Sequence, residues 1–264
     1  MSWRAEVAAV SAFARRNLQM ASRNIFLLFE LLFWPTIGVM GIGLMARFLQ
    51  LSPEETSFIL IGQIAFSTMS VCQLDVAYAV LYDVWSKSVK HQFLAPIGVR
   101  HLTIGAWLVG IMRSLLVFAL LAALGWWAFG FDALRAGPGP LVTFLIGCTL
   151  TAWVVSVLVC ALIMLFGAKA ETAAWASVNF VLTLAGIYYS VAVLPAPLAA
   201  IAAAIPLTYF LDAYRAYYGF PAEFAHPILV GGALAVLYVI LSHWALVAAV
   251  RSARRSGLLL KMSE

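Results

Sequence analysis

Charged side chains are scarce in this sequence. Asp, Glu, Lys and Arg make up 10% of the 264 residues, where soluble domains carry about a quarter. That leaves too little polar surface to cover a soluble fold of this length. The chain holds no Gly-Lys dipeptide, which excludes a P-loop, whose glycines and lysine cradle phosphates. It has neither an HExxH nor a GxSxG pattern, so zinc-protease and serine-hydrolase chemistry have no anchor. The four histidines, His91, His101, His226 and His243, are scattered near the ends of apolar runs. Cysteine is limited to Cys72, Cys148 and Cys160, without CxxC spacing, so neither a disulfide framework nor a zinc site is supported. No internal repeat and no low-complexity linker divides the chain, so a single domain over residues 1–264 is expected. Arg4, Glu6, Arg15 and Arg16 interrupt the first stretch, and no cleavable leader is expected there.

What is present is apolar: 64% of the residues. Lipid accepts such a surface, because the bilayer sets no penalty on outward apolar side chains. A crossing helix needs about 20 apolar residues, and six stretches qualify: Ile25–Phe48, Ser57–Leu81, Leu102–Phe129, Pro140–Gly167, Ala174–Leu194 and Ile228–Val250. Ser52-Pro53 and Gly137-Pro-Gly-Pro140 are turn signals between them. With both termini in the cytoplasm, twelve of the sixteen basic residues fall on that side and only Arg47, Arg135 and Arg215 outside. This asymmetry predicts the orientation and an even number of spans. The net charge of +5 follows the membrane pattern and does not point to nucleic acid.

Two segments do not fit a plain bundle. Before Ile25, residues Trp3, Val7, Val10, Ala14 and Leu18 share one helical face while Arg4, Ser11, Arg15 and Ser22 share another. A basic amphipathic helix over residues 1–24 would lie in the membrane interface; a short soluble helix is the alternative. Between Pro195 and Phe224, two apolar pieces separated by Pro206 are each too short to span. They are either two re-entrant helices in the outer leaflet or two helices lying flat on the surface, over residues 195–225.

Three ionisable residues, Glu30, Asp75 and Arg113, fall inside spans. Such residues are costly in lipid and face a partner or water, so Arg113 is expected to pair with Asp75 or Glu30. A fixed ion pair and a proton or substrate pathway both remain open. The connector over residues 82–101 carries Asp83, Lys87 and Lys90 among Trp85, Val89, Phe93 and Leu94. Positions 85, 89 and 93 recur at helical spacing, and Pro96 ends that helix. The strip could rest on headgroups, with its lysines on anionic lipid.

In this order, the basic amphipathic N-terminus, the connector ending Phe93-Leu-Ala-Pro96, and the outer loop with Leu194-Pro195, Ile205-Pro-Leu-Thr-Tyr209, Asp212 and Arg215 resemble the type-2 ATP-binding-cassette export permeases over the whole chain. The resemblance implies an all-α membrane protein with six transmembrane helices, an interfacial N-terminal helix and two re-entrant helices before the last span. It implies a dimer, as homodimer or with a related permease, in the cell (inner) membrane, with an ATPase subunit below each copy. ATP would be bound by that partner, and this chain would hold no cofactor. Trp85, Lys87, Val89, Phe93 and Pro96 would form the coupling helix, and Pro195, Pro206, Tyr209, Asp212 and Arg215 an outer gate. The cargo would be amphipathic, lipid-linked, drug-like or glycan. The region Arg15–Asn24 departs from the basic, aromatic stretch usual in the polysaccharide-exporting branch. Two other functions stay open: an ion-coupled secondary transporter using Glu30, Asp75 and Arg113, and a membrane anchor that moves no cargo.

Overall fold

The computed structural model describes residues 3–23, 25–88 and 98–257. The side chain of Glu30 and the connector residues Val89, Phe93 and Pro96 lie outside what is described. Nine α-helices follow one another among the described residues: α1 (Trp3–Arg23), α2 (Ile25–Phe48), α3 (Pro53–Trp85), α4 (Val99–Phe129), α5 (Pro138–Phe166), α6 (Glu171–Leu184), α7 (Ala196–Ala202), α8 (Pro206–Arg215) and α9 (Pro227–Arg255). No strand occurs among these residues, as expected of an all-α membrane protein.

Helix ends follow local chemistry. Ser52 caps α3 by accepting the Glu55 N–H at 3.2 Å, while Glu55 Oε2 accepts the Ser52 N–H at 2.8 Å, and Pro53 begins the helix without needing a donor. At Gly137 the backbone turns with φ 86° and Pro138 starts α5. Among the described residues five helices, α2 to α5 and α9, are long and apolar enough to cross a membrane, and six if the bent pair α7 and α8 counts as one. Helices α3 and α5 are the centre of the bundle, with 72% and 67% of their apolar windows buried. Helices α2 and α9, at 28% each, are peripheral and turn Phe29, Trp34, Leu229, Leu237 and Trp244 outward.

The segment expected as the fifth span, Ala174–Leu194, is helical only in its first half. Helix α6 stops at Leu184, about 21 Å of rise against the roughly 30 Å of a bilayer core. The chain then turns at Gly186, with φ +70°. Non-helical backbone at such a depth is tolerated only where protein satisfies its carbonyls. Arg215 does this: its Nη1 donates to the Gly186 carbonyl at 2.6 Å, and its Nη2 to those of Ile187 at 2.6 Å and Phe58 at 3.1 Å. The guanidinium also lies 3.5 Å over the Phe58 ring. Gly62 on α3 makes room, since a Cβ there would overlap the Ile187 carbonyl oxygen.

The other breaks are served from α8 in the same way. Thr208 donates to the Ala202 carbonyl at 2.9 Å and Tyr209 to that of Ala203 at 2.8 Å. Tyr214 donates to the Ala133 carbonyl and Tyr218, just after α8, to that of Asp132 at 2.9 Å. The two apolar pieces are thus α7 and α8, bent by 88° at their junction, and α8 is buried over most of its length.

At the other end, α1 packs on α4. Gly105 permits this, because a Cβ there would sit 2.8 Å from Phe13 Cβ and 2.9 Å from the Val10 carbonyl oxygen. The apolar row expected on one face is split. Val10 and Ala14 are partly buried, whereas Trp3, Val7 and Leu18 are exposed.

Replacing Arg215 by Met should strand two buried carbonyls and cost about 2–5 kcal/mol. Gly62→Ala should cost about 1–3 kcal/mol by overpacking at the same place. Unfolding of the purified protein in detergent micelles would measure both.

Candidate functional site

A groove of about 570 Å³ runs between α2, α3 and α6. Its α2 wall is apolar, with Leu31, Trp34, Ile37, Ile42 and Met45. The α3 wall adds Phe66, Val71 and Leu74 but also Gln63, Ser67 and Ser70, and α6 contributes Trp175, Val178 and Asn179. Gly38 lets α2 meet Gln63, where a Cβ would collide with the amide, while a Cβ at Gly41 would meet nothing within 4 Å. Gln63 is held in place by donating to Ser67 Oγ at 3.1 Å and by accepting from the Tyr188 hydroxyl.

At one end of the groove Arg113 of α4 pairs with Asp75 of α3 through Nη1 and Oδ1. Asp75 lies about 15 Å of helix rise from the end of α3, and Arg113 about 21 Å from the start of α4. Arg113 is only 9% exposed. The pair is incompletely bonded: Asp75 Oδ2 and Arg113 Nε make no hydrogen bond among the described residues, and neither does Asn17 Nδ2 of α1. These three residues line a small cavity of about 30 Å³ behind the groove, together with Tyr78, Tyr82 and Ala106. That is the size of one water molecule.

Beneath the pair, α1 is tied to both flanks of the connector. Arg16 binds Asp83, near the end of α3, with contacts of 3.1 and 3.3 Å, a fork geometry that fixes orientation as well as distance. Glu6 binds Arg100 Nη2 at 2.6 Å and His101 Nε2 at 2.8 Å, both at the start of α4. The Gly98 N–H donates to His101 Nδ1 at 2.9 Å, which leaves Nε2 as the nitrogen that donates to Glu6. That hydrogen bond, followed by the Arg100 charge, holds the Glu6 carboxyl below its ordinary range.

Of the residues singled out in the connector, Trp85 ends α3 and is 43% exposed, its ring 5.2 Å from that of Tyr82. Lys87 follows in a left-handed turn with φ 55°. In the outer segment, Pro195 is the N-cap of α7 and Pro206 begins α8. Asp212 accepts the N–H groups of Glu223 at 2.9 Å and Phe224 at 3.2 Å, while Tyr209 and Arg215 cap the broken backbone described above. Sequence reasoning missed the clamp residues Glu6, Arg16, Asp83 and His101. It also missed the polar row Gln63, Ser67 and Ser70, whose four- and three-residue spacing on a single apolar span was a readable signal.

The model of the ABC-2 type transporter family matches residues 8–218. An uncharacterized protein of Archaeoglobus fulgidus is 35% identical over 48 residues, which are 18% of this chain and 75% of the relative.

Asp75→Ala and Arg113→Ala should each cost about 3–5 kcal/mol, because either leaves a buried charge alone. The double variant should cost less than their sum, and unfolding measurements on the three variants would read the coupling. A second expectation concerns pH. Glu6 has a depressed folded pKa, so its contribution is present above the ordinary carboxylate pKa and is lost as pH falls through the folded value. The melting-temperature gap between the wild type and Glu6→Gln should therefore be full at pH 7 and close in acid.

Proposed function

The chain belongs to the ABC-2 type transporter family and is a transporter permease subunit; from that membership we propose that it serves an ATP-binding-cassette exporter whose hydrolysis is carried out by a separate ATPase subunit. The chain is a single permease domain of a multi-pass protein in the cell membrane, with both termini cytoplasmic. The basic end, with α1 and the connector, faces the ATPase. Two copies, or this chain and a related permease, flank the pathway, and the groove of each holds an amphipathic cargo.

The observation that supports this reading most is the clamp. Glu6 and Arg16, on one helix, hold the start of α4 and the end of α3, on either side of residues 88–98. A push on the connector cannot displace one flank without loading α1 and the other flank. Helices α3 and α4 carry Asp75 and Arg113 at the groove, so a displacement at the basic end reaches the cargo site through two rigid helices. This is a shear between packed helices of the kind that couples sites in many switches. Trp85 and Phe93 are the aromatic anchors for the ATPase, since such residues contribute most of the binding energy at contacts of this kind. The α7–α8 pair closes the pathway on the outer side, where its apolar surface needs cover.

Replacing Trp85 and Phe93 together by Ala should release the ATPase or lower cargo-stimulated ATP hydrolysis at least about tenfold, equal to about 1.4 kcal/mol. Insertion and dimerisation should be unchanged. ATPase association and hydrolysis that both match the wild type would reject the coupling role.

A further inference from the structure

We propose that the last two turns of α9 hold the headgroup of an anionic phospholipid, with an acyl chain lying along the same face of the helix. The site is independent of the exporter reading and needs only that α9 crosses a bilayer.

Helix α9 has two faces. Ala235, Ser242, Leu246, Ala249 and Ala253 are buried. Leu246, Ala249 and Ala253 pack in one cluster with Val84 and Leu102, on the two flanks of the connector. The opposite face is exposed along the helix. It is apolar from Leu229 through Leu237, Leu241 and Trp244 to Ala248, about 29 Å of helix rise. That matches the roughly 30 Å of a bilayer core. Arg251 and Arg255 continue the same face, about 5 and 11 Å beyond Ala248. At about 3.6 residues per turn they lie about 20° on either side of the direction of Trp244. The two guanidinium groups therefore stand at headgroup level, directly over an apolar track that faces lipid.

Both arginines are exposed, and neither has a hydrogen bond or ion pair among the described residues. Four residues apart, they are helix-surface neighbours whose like charges repel. An anion between them removes that repulsion, and guanidinium groups bind phosphate oxygens through paired N–H bonds. Together with Ser252 and Ser256 they line an open concavity, where the Ser252 hydroxyl is a further donor. The C-terminus of a helix carries about half a negative charge, which two guanidinium charges exceed. Selectivity follows from what is missing. A zwitterionic headgroup brings a cation that needs an acceptor, and from Pro227 to Ser263 the chain holds no Asp or Glu. A phosphate left uncompensated by its own headgroup, as in phosphatidylglycerol, fits better.

The test is native mass spectrometry of the purified full-length permease in detergent micelles. It is titrated with phosphatidylglycerol or with phosphatidylcholine carrying the same acyl chains. Phosphatidylglycerol should bind its tightest site at least about tenfold more strongly. Arg251→Gln with Arg255→Gln should abolish that preference, while phosphatidylcholine binding and the melting temperature match the wild type. Arg4→Gln with Arg15→Gln, an equal loss of charge on α1, should keep the preference. Glycerophosphoglycerol, the same headgroup without chains, should not displace the lipid at equal concentration. The inference is overturned if the two lipids bind alike, if the α9 variant keeps the preference, or if the α1 variant loses it to the same degree. A free headgroup that competes as well as the lipid would also overturn it, in favour of a soluble phosphate. An α9 variant that binds phosphatidylglycerol normally but no longer retains the ATPase would assign the arginines to that partner instead.

Discussion

Carbonyl groups released where helices break inside an apolar bundle must find donors, and in this protein one ten-residue helix with the turn after it supplies them. Arg215 takes the carbonyls of Gly186, Ile187 and Phe58, and Thr208, Tyr209, Tyr214 and Tyr218 take those of Ala202, Ala203, Ala133 and Asp132. The carbonyls of Gly186, Ile187, Ala203 and Ala133 would otherwise be unsatisfied in lipid, at a cost of several kcal/mol each, whereas those of Phe58, Ala202 and Asp132 gain a second donor. Because α8 satisfies them, α6 can stop short, the chain after it can turn at Gly186, and Tyr188 can reach Gln63 at the groove. The shape of the groove at that end therefore depends on a helix that does not line it.

The two ends of the molecule are built on different terms. At the end holding α8, the side chains of Thr208, Tyr209, Tyr214, Arg215 and Tyr218 are bonded to backbone and the packing is close, as Phe144 stacked on Tyr214 at 4.3 Å illustrates. At the basic end the contacts are ion pairs on partly exposed side chains, with Arg16 31% and Arg100 53% exposed. Exposed pairs are individually weak, about 0–1 kcal/mol. Their value lies in geometry: they join one helix to two others without fixing the bundle. Such an end can move while the opposite end holds.

The sequence made most of the helices legible and left their breaks hidden. Runs of apolar residues closed by Ser52-Pro53 and Gly137-Pro138 marked α2 to α5, and α9 was as plain. Ala174–Leu194 read as a span because hydropathy reports that side chains are apolar and says nothing of whether the backbone beneath them is helical. Gly186 was the only local sign of the turn. Arg113 could be expected to have a partner, since a lone guanidinium among apolar residues is costly. Arg215 was noticed for its charge, but its partners are backbone carbonyls, which no residue pattern reveals. The clamp was illegible for another reason: Arg16 and Asp83 are 67 residues apart, and Glu6 and His101 are 95 apart.

If nucleotide on a partner ATPase moves the connector and, through α1, α3 and α4, changes the groove, the α2 and α6 walls should change their spacing. Spin labels on Gly41→Cys and Asn179→Cys, on those two walls, would read that spacing in the permease–ATPase complex in nanodiscs. The three native cysteines are buried and should take up little label. The distance between the labels should shift when a non-hydrolysable ATP analogue binds, and the shift should disappear in Arg16→Ala with the ATPase still attached. An unchanged distance with nucleotide bound, or a shift that survives Arg16→Ala undiminished, would contradict this coupling.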